Sequence, residues 1–243
     1  MDGFADLVDD LLGVSNQTNA VVDSKPRPEV SALDLVASGD PIGLAQLLKD
    51  DPDFAINARD PKTGRSLLHE ACARGDMEIV KFLLQKTEAD LMLRTMLGHC
   101  TPLHLAVANN HRPIVFLLLS HGADASSRDR FGCSPMHYVK SLRVAKLLVQ
   151  YGCKVLDYNA KKKHATESVS SFVASIRQDS SIPVVERDAA LESYEILIKY
   201  LEKQAESEYR VKLESLRQMK KQTKEQAVTN VATSSPKRGK RRT

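Results

Sequence analysis

The sequence predicts an all-α chain, a solenoid of stacked helical units followed by one long helix. Three observations predict it. A short phrase recurs at Ser66-Leu67-Leu68-His69, Thr101-Pro102-Leu103-His104 and Ser134-Pro135-Met136-His137, with a worn copy at Ser31-Ala32-Leu33-Asp34; the copies start 35, 35 and 33 residues apart, a period that marks repeat architectures. Apolar pairs at helical spacing follow the phrases, as in Ile79-Val80 with Leu83-Leu84 and Ile114-Val115 with Leu117-Leu118-Leu119. After Pro183 no Gly or Pro interrupts a charged, Leu-rich stretch through residue 226.

Each unit reads as two short helices. The first, of about eight residues, opens on the phrase, where Pro in the first turn costs nothing because that N–H has no partner inside the helix. The second carries the paired aliphatics, and a Gly near its end allows the left-handed backbone that stops a helix. Neither is long enough to be stable alone in water, so each unit must bury its apolar face on its neighbours. The first unit keeps Gly39-Asp40, Leu47-Leu48 and Asn57-Ala58-Arg59-Asp60; the second keeps His69-Glu70-Ala71 and Gly75-Asp76. The third runs from Thr101 to Ala106, then Asn110-His111 and Gly122-Ala123-Asp124, and the fourth keeps Asp129, Gly132, His137, Lys146-Leu147-Leu148 and Tyr151-Gly152. On these residues the chain resembles the ankyrin repeat, over roughly two thirds of its length. The resemblance implies a solenoid of about four repeats with short hairpin tips, and a role in holding other proteins.

The fourth unit is trimmed, since Gly152 comes 18 residues after Ser134 where Gly122 comes 21 after Thr101; its first helix or turn should lose about one turn. A degenerate fifth unit closes the stack. Val155 to Ala160 echoes Phe54 to Ala58, Thr166 falls 32 residues after Ser134, and Val169, Phe172, Val173 and Ile176 define one buried face opposite Ser170, Ser171 and Ser175.

The long helix spans about residues 184–226. Glu195 with Lys199, Glu206 with Arg210 and Glu208 with Lys212 stand in the favourable i, i+4 order. Leu191, Tyr194, Ile198, Leu201 and Ala205 hold heptad spacing, but Glu208 and Lys212 interrupt the next positions and the stripe slips to Tyr209, Leu213 and Leu216. A coiled coil needs a longer unbroken seam, so docking of the early half on the stack, in a monomer, is favoured over self-association or a partner's coiled coil. The expected organisation is an acidic, mostly disordered tail with a short amphipathic segment over residues 1–28, a repeat domain over 29–183, the helix over 184–226 and a disordered basic tail over 227–243.

The net charge of +4 conceals a polarity: residues 1–30 carry −4 and residues 217–243 carry +8. Tails so charged have separate tasks. At the N-terminus Phe4, Leu7, Val8, Leu11 and Leu12 form an apolar stripe among Asp6, Asp9 and Asp10, a pattern suited to a partner's groove or to the chain's own stack. At the C-terminus Lys237, Arg238, Lys240, Arg241 and Arg242 resemble a nuclear localisation signal; a nucleic-acid grip confined to this tail is the alternative. Ser235-Pro236 matches a proline-directed kinase site, where a phosphate would weaken recognition of the adjoining cations.

The predicted partner surface is the concave face and its hairpin tips, Arg59 to Arg65, Arg94 to Cys100 and Arg128 to Cys133. These present Arg59, Lys62, Arg65, Arg94, His99, Arg128 and Arg130, with Met96, Leu97 and Phe131 as apolar anchors. Such a row favours an acidic partner strip. Asp60 and Asp129 are expected to be engaged in their own turns.

Catalysis finds no parts. His69, His104 and His137 recur one unit apart, as a structural hydrogen bond to the neighbouring Ser or Thr would make them, and not as a metal cluster. No phosphate-cradling loop, nucleophile elbow or HExxH motif is present, and nothing orients His99 beside Cys100 into a nucleophilic pair. The four Cys lack metal spacing and read as free thiols in a reducing compartment; Cys100 and Cys133 match across units that stack about 10 Å apart, beyond disulfide reach. No apolar run approaches a membrane span. The expected function is a non-catalytic adaptor or regulator of the nucleus and cytoplasm, without cofactor or metal. The alternative is a structural subunit of a cytoskeletal or chromatin-associated assembly, contacting its partners through the C-terminal helix and basic tail.

Overall fold

The computed structural model describes residues 31–179 and 181–233. Nine α-helices and one 3₁₀ turn follow one another, and no strand occurs among the described residues: α1 (Ala32–Ser38), α2 (Pro41–Asp50), α3 (Leu67–Arg74), α4 (Met77–Lys86), α5 (Pro102–Ala108), α6 (Arg112–Ser120), the 3₁₀ turn Pro135–Tyr138, α7 (Leu142–Gln150), α8 (Ala165–Gln178) and α9 (Val184–Thr233). The stripe at Phe4, Leu7, Val8, Leu11 and Leu12, the cations Lys237, Arg238, Lys240, Arg241 and Arg242, and Ser235 lie outside the described residues.

The recurring phrase is a helix start. Ser31 and Ser66 stand in extended backbone and their hydroxyls accept the N–H three residues on, at 3.2 and 3.4 Å, which satisfies one of the donors a helix N-terminus leaves open. Pro102 and Pro135 occupy the first turns of α5 and the 3₁₀ turn. The second helices end less uniformly than the sequence implies. Gly122 and Gly152 turn left-handed after α6 and α7 (φ 91° and 84°), but α4 ends at Thr87, whose hydroxyl donates to the Leu83 carbonyl at 2.5 Å.

First helices form one continuous row, α1 on α3, α3 on α5, α5 on the 3₁₀ turn and that turn on α8; second helices stack more loosely, α2 on α4, α4 on α6 and α6 on α7. The closer row sets the concave side. Between the rows runs a single core in which Leu68, Ile79, Leu83, Leu103, Ile114, Leu118, Met136 and Leu148 are fully buried, the apolar burial that dominates the stability of such a stack.

The fourth unit is trimmed as its length requires. Its first helix is reduced to four residues and stops at Val139, which is extended. In the fifth unit α8 begins after His164, 30 residues beyond Ser134, so the register set by Thr166 is corrected by two residues. Val169 and Val173 are buried, but Phe172 is 42% exposed, because the 3₁₀ turn it faces has no further turn of helix to cover it; the ring packs edge-on against Tyr194 at 5.7 Å.

The long helix α9 packs on α8 and α7 and buries Leu197 and Leu201 completely, with Leu191, Tyr194, Ile198 and Ala205 partly covered. It continues to Thr233, seven residues beyond the expected end, since no helix-breaking residue occurs before Pro236. No described helix is long and apolar enough to cross a membrane.

Candidate interaction face

A histidine spine holds the units in register. His69 Nδ1 lies 2.8 Å from Ser66 Oγ and accepts the Ser66 N–H at 3.2 Å, an acceptor role that leaves the proton on Nε2. That Nε2 then donates to the Cys100 carbonyl of the next unit at 3.0 Å. The pattern repeats at Thr101 and His104, reaching the Cys133 carbonyl at 3.2 Å, and at Ser134 and His137, reaching the Lys163 carbonyl at 3.2 Å. Burial pushes His69 down to about 4 and lowers His104 and His137 as well, because a buried imidazolium loses its hydration. The histidines are neutral crosslinks between units.

The tips form a second ladder. Asp129 accepts the N–H groups of Phe131 and Cys133 at 2.8 and 2.9 Å and the Tyr138 hydroxyl, while Asp60 accepts those of Lys62 and Thr63. The other tips use different residues at this place. Thr95 Oγ1 accepts the Cys100 N–H at 3.1 Å, and Asn159 Oδ1 accepts those of Lys161 and Lys163 at 2.9 and 3.0 Å. Adjacent tips are joined by Arg130 N–H to the Gly98 carbonyl (2.9 Å) and Ala160 N–H to the Phe131 carbonyl (2.8 Å).

The predicted partner residues divide on this ladder. Arg94 donates to the Arg128 carbonyl; Arg128 donates to the carbonyls of Gly132 (3.0 Å) and Tyr158 (2.6 Å) and pairs with Asp157 at 3.2 Å; Arg130 donates to the Leu97 carbonyl at 3.3 Å. These three arginines brace one tip against the next. Arg65 pairs with Glu70 at 2.9 Å. Arg59, Lys62 and His99 are exposed, and so are Met96 (58%), Leu97 (68%) and Phe131 (57%), which stand on neighbouring tips. His99 holds a left-handed backbone, φ 52°, where the flanking tips place Gly64 and Gly132. Cys100, half-buried beside it, has its thiol pushed up by burial, the reverse of what a nucleophile requires.

The trimmed fourth unit opens a pocket in the concave face. A cavity of about 370 Å³ lies between Ala108, Tyr138, Lys140, Ser168 and Phe172, with Lys140 Nζ 5.8 Å from the centre of the Phe172 ring. The lost turn was legible in the residue spacing but the cavity was not, since it depends on Phe172 and Lys140 converging from separate elements. Glu208 of α9, read from the sequence as a break in the heptad pattern, accepts the N–H groups of Val155 and Leu156 at 2.9 and 3.0 Å and so fastens the long helix to the last tip. Among the described residues no group of three or more His, Cys, Asp or Glu gathers as a metal site.

Known proteins share this repeat architecture in part. The chain is 36% identical to the human palmitoyltransferase ZDHHC13 over 96 residues, 39% of this chain and 15% of that protein. It is 38% identical to the bovine SMC5-SMC6 complex localization factor protein 1 over 105 residues, 42% of this chain and 10% of that protein. It is 31% identical to the human ankyrin repeat domain-containing protein SOWAHB over 112 residues, 44% of this chain and 14% of that protein. The chain thus spans only a minor part of each relative's length, and their activities do not carry over with the match. The sequence pattern of the family described as ankyrin repeats (3 copies) matches residues 31–129 and 97–162; with paired helices, capped phrases and bonded tips over that same span, the chain belongs to the ankyrin-repeat family.

Proposed function

We propose that this chain is a non-catalytic adaptor that grips an acidic segment of a partner protein along the hairpin tips and the concave face, and that it works in the nucleus and cytoplasm with Lys237, Arg238, Lys240, Arg241 and Arg242 as its import address. One observation carries the reading: Met96, Leu97 and Phe131 stand exposed on adjoining tips among Arg94, His99, Arg128 and Arg130. Apolar anchors ringed by cations suit a partner strip in which acids flank hydrophobes. The tips are braced to one another before any partner arrives, so little ordering cost opposes binding. His99 adds support, since a strained backbone at an exposed position is often kept for function. A relative named for localising a complex agrees with an adaptor, and phosphorylation of Ser235 would weaken the import address.

The test is affinity capture from nuclear and cytoplasmic extracts, read by mass spectrometry. A tip variant should combine Met96→Asp, Leu97→Asp and Arg59→Glu, which spares the bracing arginines. Loss of the main partner in this variant alone supports the tip face. The second reading, a structural subunit working through α9, is favoured by Tyr209, Val211, Leu216 and Met219, all exposed on the distal half of that helix. Loss confined to a Tyr209→Asp, Met219→Asp variant would move the function there.

A further inference from the structure

We propose that residues 4–12 of this same chain occupy the concave pocket of the fourth unit, so that the protein carries its own competitor for acidic partners. The inference rests on the reading that the concave side takes acidic, apolar segments, and it names the pocket and its first occupant.

The pocket has the right chemistry for such a segment. Ala108 supplies an apolar floor, Tyr138 and Phe172 supply aromatic walls, and Lys140 stands at the rim. Lys140 reaches over the Phe172 ring, and among the described residues no carboxylate pairs with it. The adjoining tip adds Lys161, Lys162 and Lys163, the last of which donates to Ser171 Oγ on α8 at 3.3 Å. Two acids belong to the repeat elements beside the pocket, and α9, whose Tyr194 packs on Phe172, carries the exposed Glu192 and Glu195 next to that tyrosine. Asp129 is committed to the Tyr138 hydroxyl and two N–H groups, and Glu167 is exposed in the first turn of α8. On the repeat elements themselves Lys140, Lys161, Lys162 and Lys163 outnumber Asp129 and Glu167.

Against this, the N-terminal segment offers Phe4, Leu7, Val8, Leu11 and Leu12 interleaved with Asp6, Asp9 and Asp10, within thirty residues that carry −4. Its apolar positions fall at the i, i+3, i+4, i+7 spacing of a helix that lies in a groove. The tip row is the weaker site for it, because Arg94, Arg128 and Arg130 already donate to carbonyls of neighbouring tips.

The tether reaches. Residues 13–30 span up to roughly 60 Å when extended. Ser31 opens the first unit and Phe172 lies in the fifth, four steps of about 10 Å each, or about 40 Å. A connection of eighteen residues holds its end at an effective concentration of about 1 mM. A segment with a Kd of only about 100 μM would then be in place about nine-tenths of the time.

Amide NMR spectra of the full chain should be compared with those of a chain beginning at residue 29, which keeps every described helix. The expected result is shifts centred on Ala108, Tyr138, Lys140 and Phe172, reproduced when a synthetic peptide of residues 1–14 is added to the shorter chain. By fluorescence anisotropy the labelled peptide should bind the shorter chain at least tenfold more tightly than the full chain, and Lys140→Glu should weaken it at least tenfold while leaving the rest of the spectrum in place. Superimposable spectra with equal affinities overturn the proposal. Shifts confined to residues 94–100 and 128–133 overturn the pocket assignment, and shifts that grow with protein concentration give the segment to a second copy and overturn self-occupancy. If the peptide fails here while the tip variant still loses its partner on capture, this inference alone falls.

Discussion

The interior boundaries of the stack and its C-terminal end solve one problem with different groups. Between units two and five, a buried neutral histidine takes up a carbonyl of the next tip, three times over. At the end no further unit follows, and position 167, which corresponds to the histidine, is Glu167. There the N–H groups of Val155 and Leu156 are met by the carboxylate of Glu208, delivered from a helix that belongs to no repeat. Interior joints depend on uncharged, water-excluded hydrogen bonds. The end joint depends on a charge-assisted bond at the edge of solvent, and the two should fail differently.

The interior joint should be the costlier to break. His104→Ala removes a fully buried ring and leaves the Thr101 N–H and the Cys133 carbonyl without partners, a loss of about 3–5 kcal/mol. His137→Ala should cost less, about 2 kcal/mol, because His137 borders the concave cavity and water can replace part of what is lost. Urea denaturation of both variants checks the order. Equal losses would mean that the trimmed unit is as closed as its neighbours.

Acid should also strike the interior first. His69 is held at about 4 in the fold against an ordinary value of 6.5, so between these values the unfolded chain binds more protons and stability is lost as the pH is lowered. The contribution of His69 is complete above pH 6.5 and is lost by about pH 4. At 1.36 kcal/mol per unit this amounts to about 3 kcal/mol, and His104 and His137 act in the same direction. Urea midpoints between pH 7 and 4.5 should drop, and His69→Gln should flatten the slope. A midpoint independent of pH would contradict neutral histidines at the joints.

At the end joint, Glu208→Ala should cost about 1–2 kcal/mol, as the N–H groups of the buried Val155 and the half-buried Leu156 lose their acceptor. Hydrogen exchange should quicken at Val155 and Leu156 while the amides of Cys100 and Cys133 stay protected. Uniform quickening would show that α9 supports the whole stack and not its last tip alone.

This division was partly legible in the sequence. The period, the serine and threonine caps and the histidine partnership follow from residues three apart, and the eighteen-residue interval from Ser134 to Gly152 revealed the missing turn. What escaped were pairings across 26 to 53 residues. Arg128 looks like surface charge until Tyr158 is placed beside it, and Glu208 looks like a flaw in a heptad until the last tip lies under it. The turn-forming role of Thr95 and Asn159 was hidden by substitution, although a signal existed: both stand at the repeat interval from Asp60 and Asp129. Pattern shows what is periodic, and the end of a solenoid is where periodicity stops.

The smallest effect concerns a tip where the repeat departs from its own rule. His99 and Lys162 adopt φ of 52° and 57° at the position that Gly64 and Gly132 fill in the flanking units. A side chain in this region crowds its own backbone and costs about 1–2 kcal/mol relative to glycine, partly offset because glycine gains more freedom on unfolding. His99→Gly should therefore stabilise the protein by about 0.5–1 kcal/mol, visible as a modest rise in the urea midpoint with no change in slope. Gly132→Ala, the opposite change, should destabilise; its added carbon would stand 3.1 Å from the Ala160 nitrogen. If His99→Gly gains stability and at the same time weakens capture of the partner, the strain is retained for binding. If it gains stability and binds as before, His99 leaves the interaction face and the apolar pair Met96 and Leu97 carries that tip alone.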